Sequence, residues 1–256
     1  MCCLDRNIFR WSLQRILQPW RIDRDWETIN ASKYGYLVQS STTSFAALRN
    51  GTTALQVNNQ PTSSNAIGVR FRYVTGGKGS EWQLHRSYWA FDTSTYSSGY
   101  TITDLEIKFD PTTSTSTNFP VAVIKSTAQG DADTNLVSGD WDSLDFSTLY
   151  SANSSTNYWP DTNSVSTIDL NSTAVTAFGT GILKVAIVWW FDYNNGGGLA
   201  TPQTINAYQN FGYVPRLQFT ATPTGYGNDV NDVSSSDIGK IIDVASADIN
   251  KVIDVS

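Results

Sequence analysis

The sequence has few of the residues that acid–base or metal chemistry most often uses. Among its 256 residues there are one histidine, His85, and two cysteines, the neighbouring Cys2 and Cys3. Adjacent cysteines cannot join distant parts of a fold, so stability has to come from core packing. A single histidine argues against a histidine-rich metal site and against a histidine-based catalytic triad. We therefore expect His85 to have a structural role or to be merely exposed.

Charge is also scarce, and its sign argues against two classes of partner. Charged residues make up 16% of the chain, and the net charge is −6. A protein that binds nucleic acid needs a basic surface to neutralise phosphates, so no nucleic-acid partner is expected. No stretch reaches the roughly 18 to 20 consecutive apolar residues that a membrane helix needs, so no membrane partner is expected either.

Paired carboxylates could still hydrolyse glycosides without histidine. The acids of the central region fall at turns and strand ends, where aspartate is favoured by local hydrogen bonding. They are Asp92, Asp104, Glu106, Asp110, Asp131, Asp133, Asp140, Asp142, Asp145 and Asp192. No pattern among them places one carboxyl beside an ionised partner, so the sequence predicts a protein that is not an enzyme.

The composition that remains is typical of an all-β protein. Ser, Thr, Asn and Gly are abundant and aromatic residues reach 12%, with turn-rich stretches between β-branched and aromatic runs. Six segments are predicted to be strands: 66–74, 86–91, 101–109, 120–125, 183–191 and 216–222. In 101–109, Ile102, Leu105, Ile107 and Phe109 share one buried face only if the alternation slips locally. The run at 185–191 is apolar on both faces, which predicts a covered central strand.

Four segments in a fixed order resemble a known family. They are SYWAFDTSTYSSGYTITDLEIKF at 87–109, VSGDWDSLDFSTL at 137–149, IDLNSTAVTAFGTGILKVAIVWWFDY at 168–193 and GYVPRLQFTAT at 212–222. The chain resembles the jelly-roll domains of the DNRLRE and carbohydrate-binding-module type over about residues 36–222. The resemblance implies a two-sheet jelly-roll sandwich used for structure or adhesion.

Three regions are predicted along the chain. Residues 1–28 form an N-terminal arm, in which Phe9, Leu13, Ile16 and Leu17 recur at helical spacing before Pro19. The arm is either a short docking helix or a poorly ordered leader, and its arginines interrupt any secretory signal. Residues 29–223 form the jelly-roll sandwich, and residues 224–256 form a C-terminal tail.

The tail contains an internal repeat with a period of 11 residues, in which DIGKIIDVASA at 237–247 aligns with DINKVIDVS at 248–256. It resembles the C-terminal I-x-K-V-N-G-V repeats of phage structural proteins, with Ile-Asp in place of Asn-Gly. Extended segments, a right-handed coiled coil and a disordered acidic tail are the alternatives. The predicted docking and oligomerisation residues are Ile238, Ile241, Ile242, Val244, Ile249, Val252, Ile253 and Val255.

One loop has the spacing of a calcium site. Asp131, Asp133 and Asn135 alternate, and Asp142 stands at the twelfth position, as in a calcium-binding loop. Leu136 occupies the sixth position, where that loop needs glycine. Calcium is therefore the one cofactor considered, and the alternative is an ordinary polar turn.

Exposed aromatic rings are candidates for stacking on sugars. Tyr158 and Trp159 lie in a long Ser- and Asn-rich stretch, and Tyr193 and Tyr208 lie on either side of the glycine-rich loop at 194–198. By contrast, Trp89, Phe91, Trp189, Trp190 and Phe191 belong to apolar strands and are expected in the core.

Together these features favour a structural protein of a virus particle, assembled in the host cytoplasm. The expected roles are capsid decoration, head fibre or tail-associated protein of a tailed phage, attached through its terminal segments. Its expected partners are other virion proteins and itself, as a homotrimer by resemblance. The alternatives are a carbohydrate-binding or host-adhesion module whose partner is surface polysaccharide, and a secreted or cell-wall adhesin domain of a bacterium.

Overall fold

The fold is described here from a computed structural model. It describes residues 26–60, 66–76, 79–109, 111–114, 119–131, 134–151, 158–159, 166–195, 206–211, 214–224, 240–241 and 244–245. Residues 1–25 of the predicted arm and most of the predicted tail lie outside these residues. Within the described residues, no helix is both long and apolar enough to span a bilayer.

Strands dominate the described chain and are numbered in sequence order. The strands of the first half are β1 (Trp26–Asn30), β2 (Lys33–Ser41), β3 (Gln56–Asn59), β4 (Ala66–Gly76), β5 (Gly79–Asp92), β6 (Tyr100–Phe109), β7 (Pro111–Ser114) and β8 (Phe119–Ser126). Those of the second half are β9 (Leu144–Leu149), β10 (Tyr158–Trp159), β11 (Ser166–Asp169), β12 (Ile182–Trp189), β13 (Asn206–Phe211), β14 (Arg216–Pro223), β15 (Lys240–Ile241) and β16 (Val244–Ala245).

Three short α-helices interrupt the strands. They are α1 (Phe45–Arg49), α2 (Ser172–Phe178) and α3 (Trp190–Tyr193). Side chains cap the first two: Ser44 accepts from the Ala47 amide, and Asn171 accepts from the amides of Thr173 and Ala174. Ser94–Tyr96 and Ser138–Asp142 form 3-10 turns.

The strands form two main antiparallel sheets, which confirms the prediction of a predominantly β chain and is consistent with a sandwich. The smaller sheet has the order β1-β14-β6-β11. The larger has the path β10-β8-β12-β5-β4-β13-β7, with β2 paired to β5 and β3, and β9 paired to β8. All six predicted strands are present, although the one predicted at 183–191 ends at Trp189.

The long strand β5 organises the larger sheet. Its first half pairs with β4 and its second half with β12, while β2 pairs along the other edge. Both faces of β5 are covered, because Leu84, Arg86 and Tyr88 on one face and Ser87 and Trp89 on the other are all buried. Residues 185–189 of β12 are buried throughout, as expected for a central strand.

One hydrophobic core contains residues from both sheets. Trp89 and Phe91 of the larger sheet belong to the same cluster as Ile107 and Phe219 of the smaller sheet, together with Phe178 of α2. The rings of Phe178 and Phe219 meet edge to face at 4.8 Å. Trp189 is buried as expected, whereas Trp190 and Phe191 lie in α3 and are only partly buried.

The predicted slip in residues 101–109 is a register shift in β6. The pairing with β14 shifts between Gln218 and Thr220, and Asp104 has a positive φ of 51°. The extra residue that β6 accommodates is the signature of a β-bulge. It lets Ile102 pack against the core while Leu105 and Ile107 are buried, so the prediction is confirmed for these three residues, and the side chain of Phe109 lies outside the described part.

The predicted domain limits can be compared with these elements. The predicted division between residues 28 and 29 falls inside β1, and the one after residue 223 coincides with the end of β14. In the tail, β15 and β16 form a two-stranded antiparallel pair with Ile241 opposite Val244. The proposed repeat packing involves mainly residues outside the described ones and stays a prediction.

Candidate functional site

A groove between α2 and the ends of β8 and β12 has a volume of about 650 Å³. Its charged side chains are Lys125 of β8 and Lys184 of β12. The two strands are antiparallel neighbours, and Lys125 is opposite Val185, so the neighbouring Lys184 points to the other face of the sheet. We call this cavity the α2 groove.

The helix α2 supplies the polar wall of the α2 groove. Ala174 and Phe178 point into the core, whereas Thr173, Thr176 and Ala177, with Thr180 beyond the helix, line the groove. These four positions follow the i, i+3, i+4, i+7 spacing of a single helix face. Asn171 fixes the helix by donating its side-chain amide to the Leu149 carbonyl at 2.8 Å.

Three threonine hydroxyl groups of the α2 groove donate to protein acceptors. Thr176 donates to the Ser172 carbonyl at 3.0 Å, Thr180 donates to the Ala177 carbonyl at 2.7 Å, and Thr148 donates to Asp145 Oδ2 at 2.8 Å. A hydroxyl has one proton and two lone pairs, so each of these oxygens keeps the capacity to accept a hydrogen bond. These three hydroxyl oxygens therefore add acceptors to the wall of the groove.

A second polar cluster is fully enclosed. Arg86 Nε donates to Asp192 Oδ2 at 2.8 Å and Arg86 Nη2 donates to Oδ1 at 2.9 Å. Arg86 also donates to the Trp141 carbonyl at 2.9 Å and lies over the Trp141 ring, 4.1 Å from its centroid. Arg49 Nε donates to the Asp192 backbone carbonyl at 2.8 Å.

This cluster corrects the expectation for Asp192, which the sequence placed among acids at turns and strand ends. Its side chain is 0% exposed and lies opposite the 1% exposed Arg86. Burial lowers the pKa of Arg86, but the charge and hydrogen bonds of Asp192 outweigh that effect and leave the pKa above its ordinary value. The two side chains pair with each other, and Arg86 also donates to the backbone carbonyls of Trp141 and Arg49, so the cluster joins α1, α3 and the 138–142 turn to β5.

His85 lies in the interior of β5 and is 5% exposed. Its ring stacks on Tyr36 of β2, with centroids 5.6 Å apart and an interplanar angle of 9°. The expected structural role therefore has a defined partner.

The predicted calcium loop is only partly described, because Asp133 lies outside the described residues. Asp131 accepts a hydrogen bond from Thr134 at 2.7 Å, and Asn135 and Asp142 are exposed. Leu136, at the position that needs glycine, is buried, and its amide donates to Asn59 Oδ1 at 2.8 Å. The described residues contain no group of three or more acids, histidines or cysteines that could hold a metal ion. Calcium binding stays a prediction.

The predicted sugar-stacking residues are spread over the larger sheet. Tyr158 and Trp159 form β10, which pairs with residues Pro120 and Phe119 of β8. Tyr208 lies in β13 opposite Arg70. Tyr193 ends α3, partly buried, with its ring 5.1 Å from that of Trp190. The structure does not bring these four residues together as one described site.

The groove residues were not among the predicted sites, although the sequence contained a signal. Lys184 interrupts the apolar run ILKVAIV, where a charged side chain is unusual in a buried strand, and Lys125 ends the run PVAVIK. In comparisons with protein-family models and with curated proteins, the chain matches none.

Proposed function

We propose that this protein is a non-enzymatic structural component of a virus particle, attached through its terminal segments and displaying the β-domain. The proposed setting is a tailed phage, in which the chain acts as a capsid decoration, head fibre or tail-associated protein. A jelly-roll arrangement of the two sheets is part of the same proposal, as the family resemblance implies.

The observation that supports attachment is where the chain enters and leaves the smaller sheet. β1 and β14 are antiparallel neighbours, with Trp26 opposite Thr220 and Asn30 opposite Arg216. The first residue of β1 therefore lies beside the last residues of β14. The segments 1–25 and 225–256 therefore join the domain at the same end of the same sheet.

A single loop fastens both of these connections. Tyr96 donates its hydroxyl proton to Glu27 Oε2 at 2.9 Å, next to the start of β1. Three residues later, the Gly99 carbonyl accepts from the amide of Thr224 at 2.9 Å, just after β14 ends. The Tyr96 ring also packs edge to face on Phe219, with centroids 5.0 Å apart. Such fastening suits a domain that is held by both of its terminal segments.

The test is peptide mass spectrometry on density-purified particles from the source lysate, with the copy number measured against the major capsid protein. A constant ratio to the capsid protein is expected, and its size separates a capsid-wide decoration from a few tail-associated copies. Protein found free or on cell walls, and absent from particles, would overturn the proposal in favour of a bacterial adhesin.

A further inference from the structure

The side of the smaller sheet that faces away from the core has an exposed tryptophan. In β1, Trp26, Thr28 and Asn30 alternate with the partly buried Glu27 and Ile29, so the first three residues face outward. Trp26 is 38% exposed, although tryptophan is highly buried on average. An exposed aromatic ring on a sheet is a surface on which an apolar face of a ligand can stack.

The strand pairing places two rows of polar side chains on the same side as Trp26. Directly opposed residues of neighbouring strands share a face of the sheet. One row is Asn30, Arg216, Lys108 and Thr167, and the other is Thr28, Gln218, Glu106 and Asp169. Neighbouring strands are about 4.8 Å apart, so each row spans roughly 15 Å across β1, β14, β6 and β11. We call Trp26 and these two rows the outer face.

The Trp26 ring lies near charged groups of the outer face. Lys108 Nζ is 5.6 Å from the centroid of the ring, although β14 separates β1 from the strand of Lys108. The two side chains therefore extend along the surface of the sheet towards each other. Lys108 also pairs with Glu106 at 3.6 Å, and these side chains are 21% and 20% exposed. The aromatic surface thus has an ammonium donor and a carboxylate acceptor beside it.

The charges of the outer face favour a neutral ligand. Lys108 and Arg216 are the bases of the two rows, and Glu106 and Asp169 are their acids. Asp104 joins these two acids in lining a cavity of about 300 Å³. An anionic ligand would therefore meet at least as many carboxylates as cations. A sugar hydroxyl can donate to a carboxylate and accept from an ammonium, and the C–H face of a sugar ring can cover an indole.

We propose that the outer face binds a neutral oligosaccharide, with one sugar ring stacked on Trp26 and neighbouring hydroxyl groups bonded to Glu106 and Lys108. This site is on the smaller sheet. Tyr158 and Trp159, which the sequence predicted for sugar stacking, form β10 of the larger sheet. The inference goes beyond attachment and display and does not depend on either.

The experiment is isothermal titration of the full-length chain with two neutral tetramers, cellotetraose and maltotetraose, and with a tetramer of galacturonic acid. We expect a neutral tetramer to bind with an affinity that salt leaves nearly unchanged, because the ligand has no charge to be screened. Trp26→Ala removes the stacking surface and should lower the affinity about tenfold or more. Glu106→Gln keeps the size of the side chain but removes a charged acceptor, and should lower the affinity about tenfold.

Two control variants locate the site. Trp159→Ala removes a tryptophan of the larger sheet, and Glu81→Gln neutralises an exposed acid of β5. Both should leave the affinity unchanged. Melting temperatures verify folding, and Glu106→Gln remains a test if Trp26→Ala does not fold.

Three outcomes would overturn the proposal. In the first, neither neutral tetramer binds at millimolar concentration. In the second, the acidic tetramer binds as tightly as the neutral ones. In the third, Trp159→Ala or Glu81→Gln weakens binding as much as the outer-face variants do, or the outer-face variants bind like the wild-type chain.

Discussion

Arg86 and Asp192, 106 positions apart in sequence, form a bidentate ion pair with virtually no solvent exposure. The pair connects β5, near the middle of the larger sheet, to the short helix that follows β12. β4 pairs with β5 up to His85, which is opposite Arg70. β12 pairs with β5 from Ser87, which is opposite Ile187, and Arg86 lies between these two pairings. The guanidinium therefore anchors α1, α3 and the 138–142 turn at the point along β5 where β4 gives way to β12.

Removing the acid of this pair should be strongly destabilising. Asp192→Ala leaves Arg86 buried without its counter-charge, and we expect the free energy of unfolding to fall by about 3–5 kcal/mol. Urea denaturation followed by tryptophan fluorescence measures the change. The control Asp142→Ala replaces an exposed acid and should stay within about 0.5 kcal/mol. In a double-mutant cycle with Arg86→Met, the two losses should not add, and additive losses would contradict a direct interaction.

Two glycines in neighbouring parts of the structure should respond oppositely to alanine. A Cβ at Gly35 would collide with the backbone carbonyl of Asn58 and would lie 2.9 Å from Leu136 Cδ1. Gly35→Ala must therefore push β3 away from β2, and we expect a loss of about 1–3 kcal/mol. A Cβ at Gly139 would meet nothing within 4 Å, so Gly139→Ala should be close to neutral. Equal melting temperatures for the two variants would contradict this prediction, because β3 would then move away from β2 without a loss of stability.

Alkaline pH should loosen the loop that fastens both chain connections. Burial first, and then the hydrogen bond to Glu27, raise the pKa of Tyr96 from 10.0 to about 12. Because the folded pKa lies above the unfolded one, the stabilisation is complete below pH 10 and is lost as pH rises through about 12. Tyr96→Phe removes a hydrogen bond, so it should lower the free energy of unfolding by about 1 kcal/mol at pH 9. Between pH 9 and 11, the free energy of unfolding should then fall less in this variant than in the wild-type chain.

The matched control is Tyr193→Phe, a partly buried tyrosine of α3. Urea midpoints at pH 9 and 11 should fall by the same amount in this variant and in the wild-type chain. If the urea midpoint falls as much between pH 9 and 11 in Tyr96→Phe as in the wild-type chain, the role given to the Tyr96 hydroxyl is contradicted.

The tail should hold copies of the chain together. Light scattering of the full-length chain should give three times the chain mass of 28.2 kDa, whereas a chain ending at Pro223 should be a monomer. Replacing Ile242 and Ile253 by serine keeps the tail but removes apolar side chains at equivalent repeat positions, so it should also give a monomer. If the full-length chain is itself a monomer, self-association through the repeats is wrong.

Local pattern was enough to predict much of the fold. The six strands, the buried Trp89 and the covered β12 all follow from which residues alternate and which do not, and that information is contained in a few neighbouring positions. The slip in β6 was visible for the same reason. The end of β12 could not be predicted in this way, because Trp190 and Phe191 continue the apolar run. Only the tertiary structure makes these two residues part of a helical turn.

The sites depend on long-range pairing, which local pattern does not contain. Asp192 has the sequence surroundings of an ordinary loop acid, and its partner Arg86 is an unremarkable residue of a strand until the sheet is assembled. The α2 groove likewise exists only because β8 and β12 become neighbours and α2 packs beside them. Asn171 followed by apolar Ala174 and Phe178 was nevertheless a readable helix signal.

The adjacency of β1 and β14 also sets how the domain responds to force. If the two terminal segments were pulled apart from each other, the load would fall on the first pair, Trp26 opposite Thr220, and the strands would unzip one pair at a time. If both segments are anchored on one support and the domain is dragged by its opposite end, the two strands pull in parallel and share the tension. An attachment that uses both segments on the same support is thus the mechanically stronger arrangement.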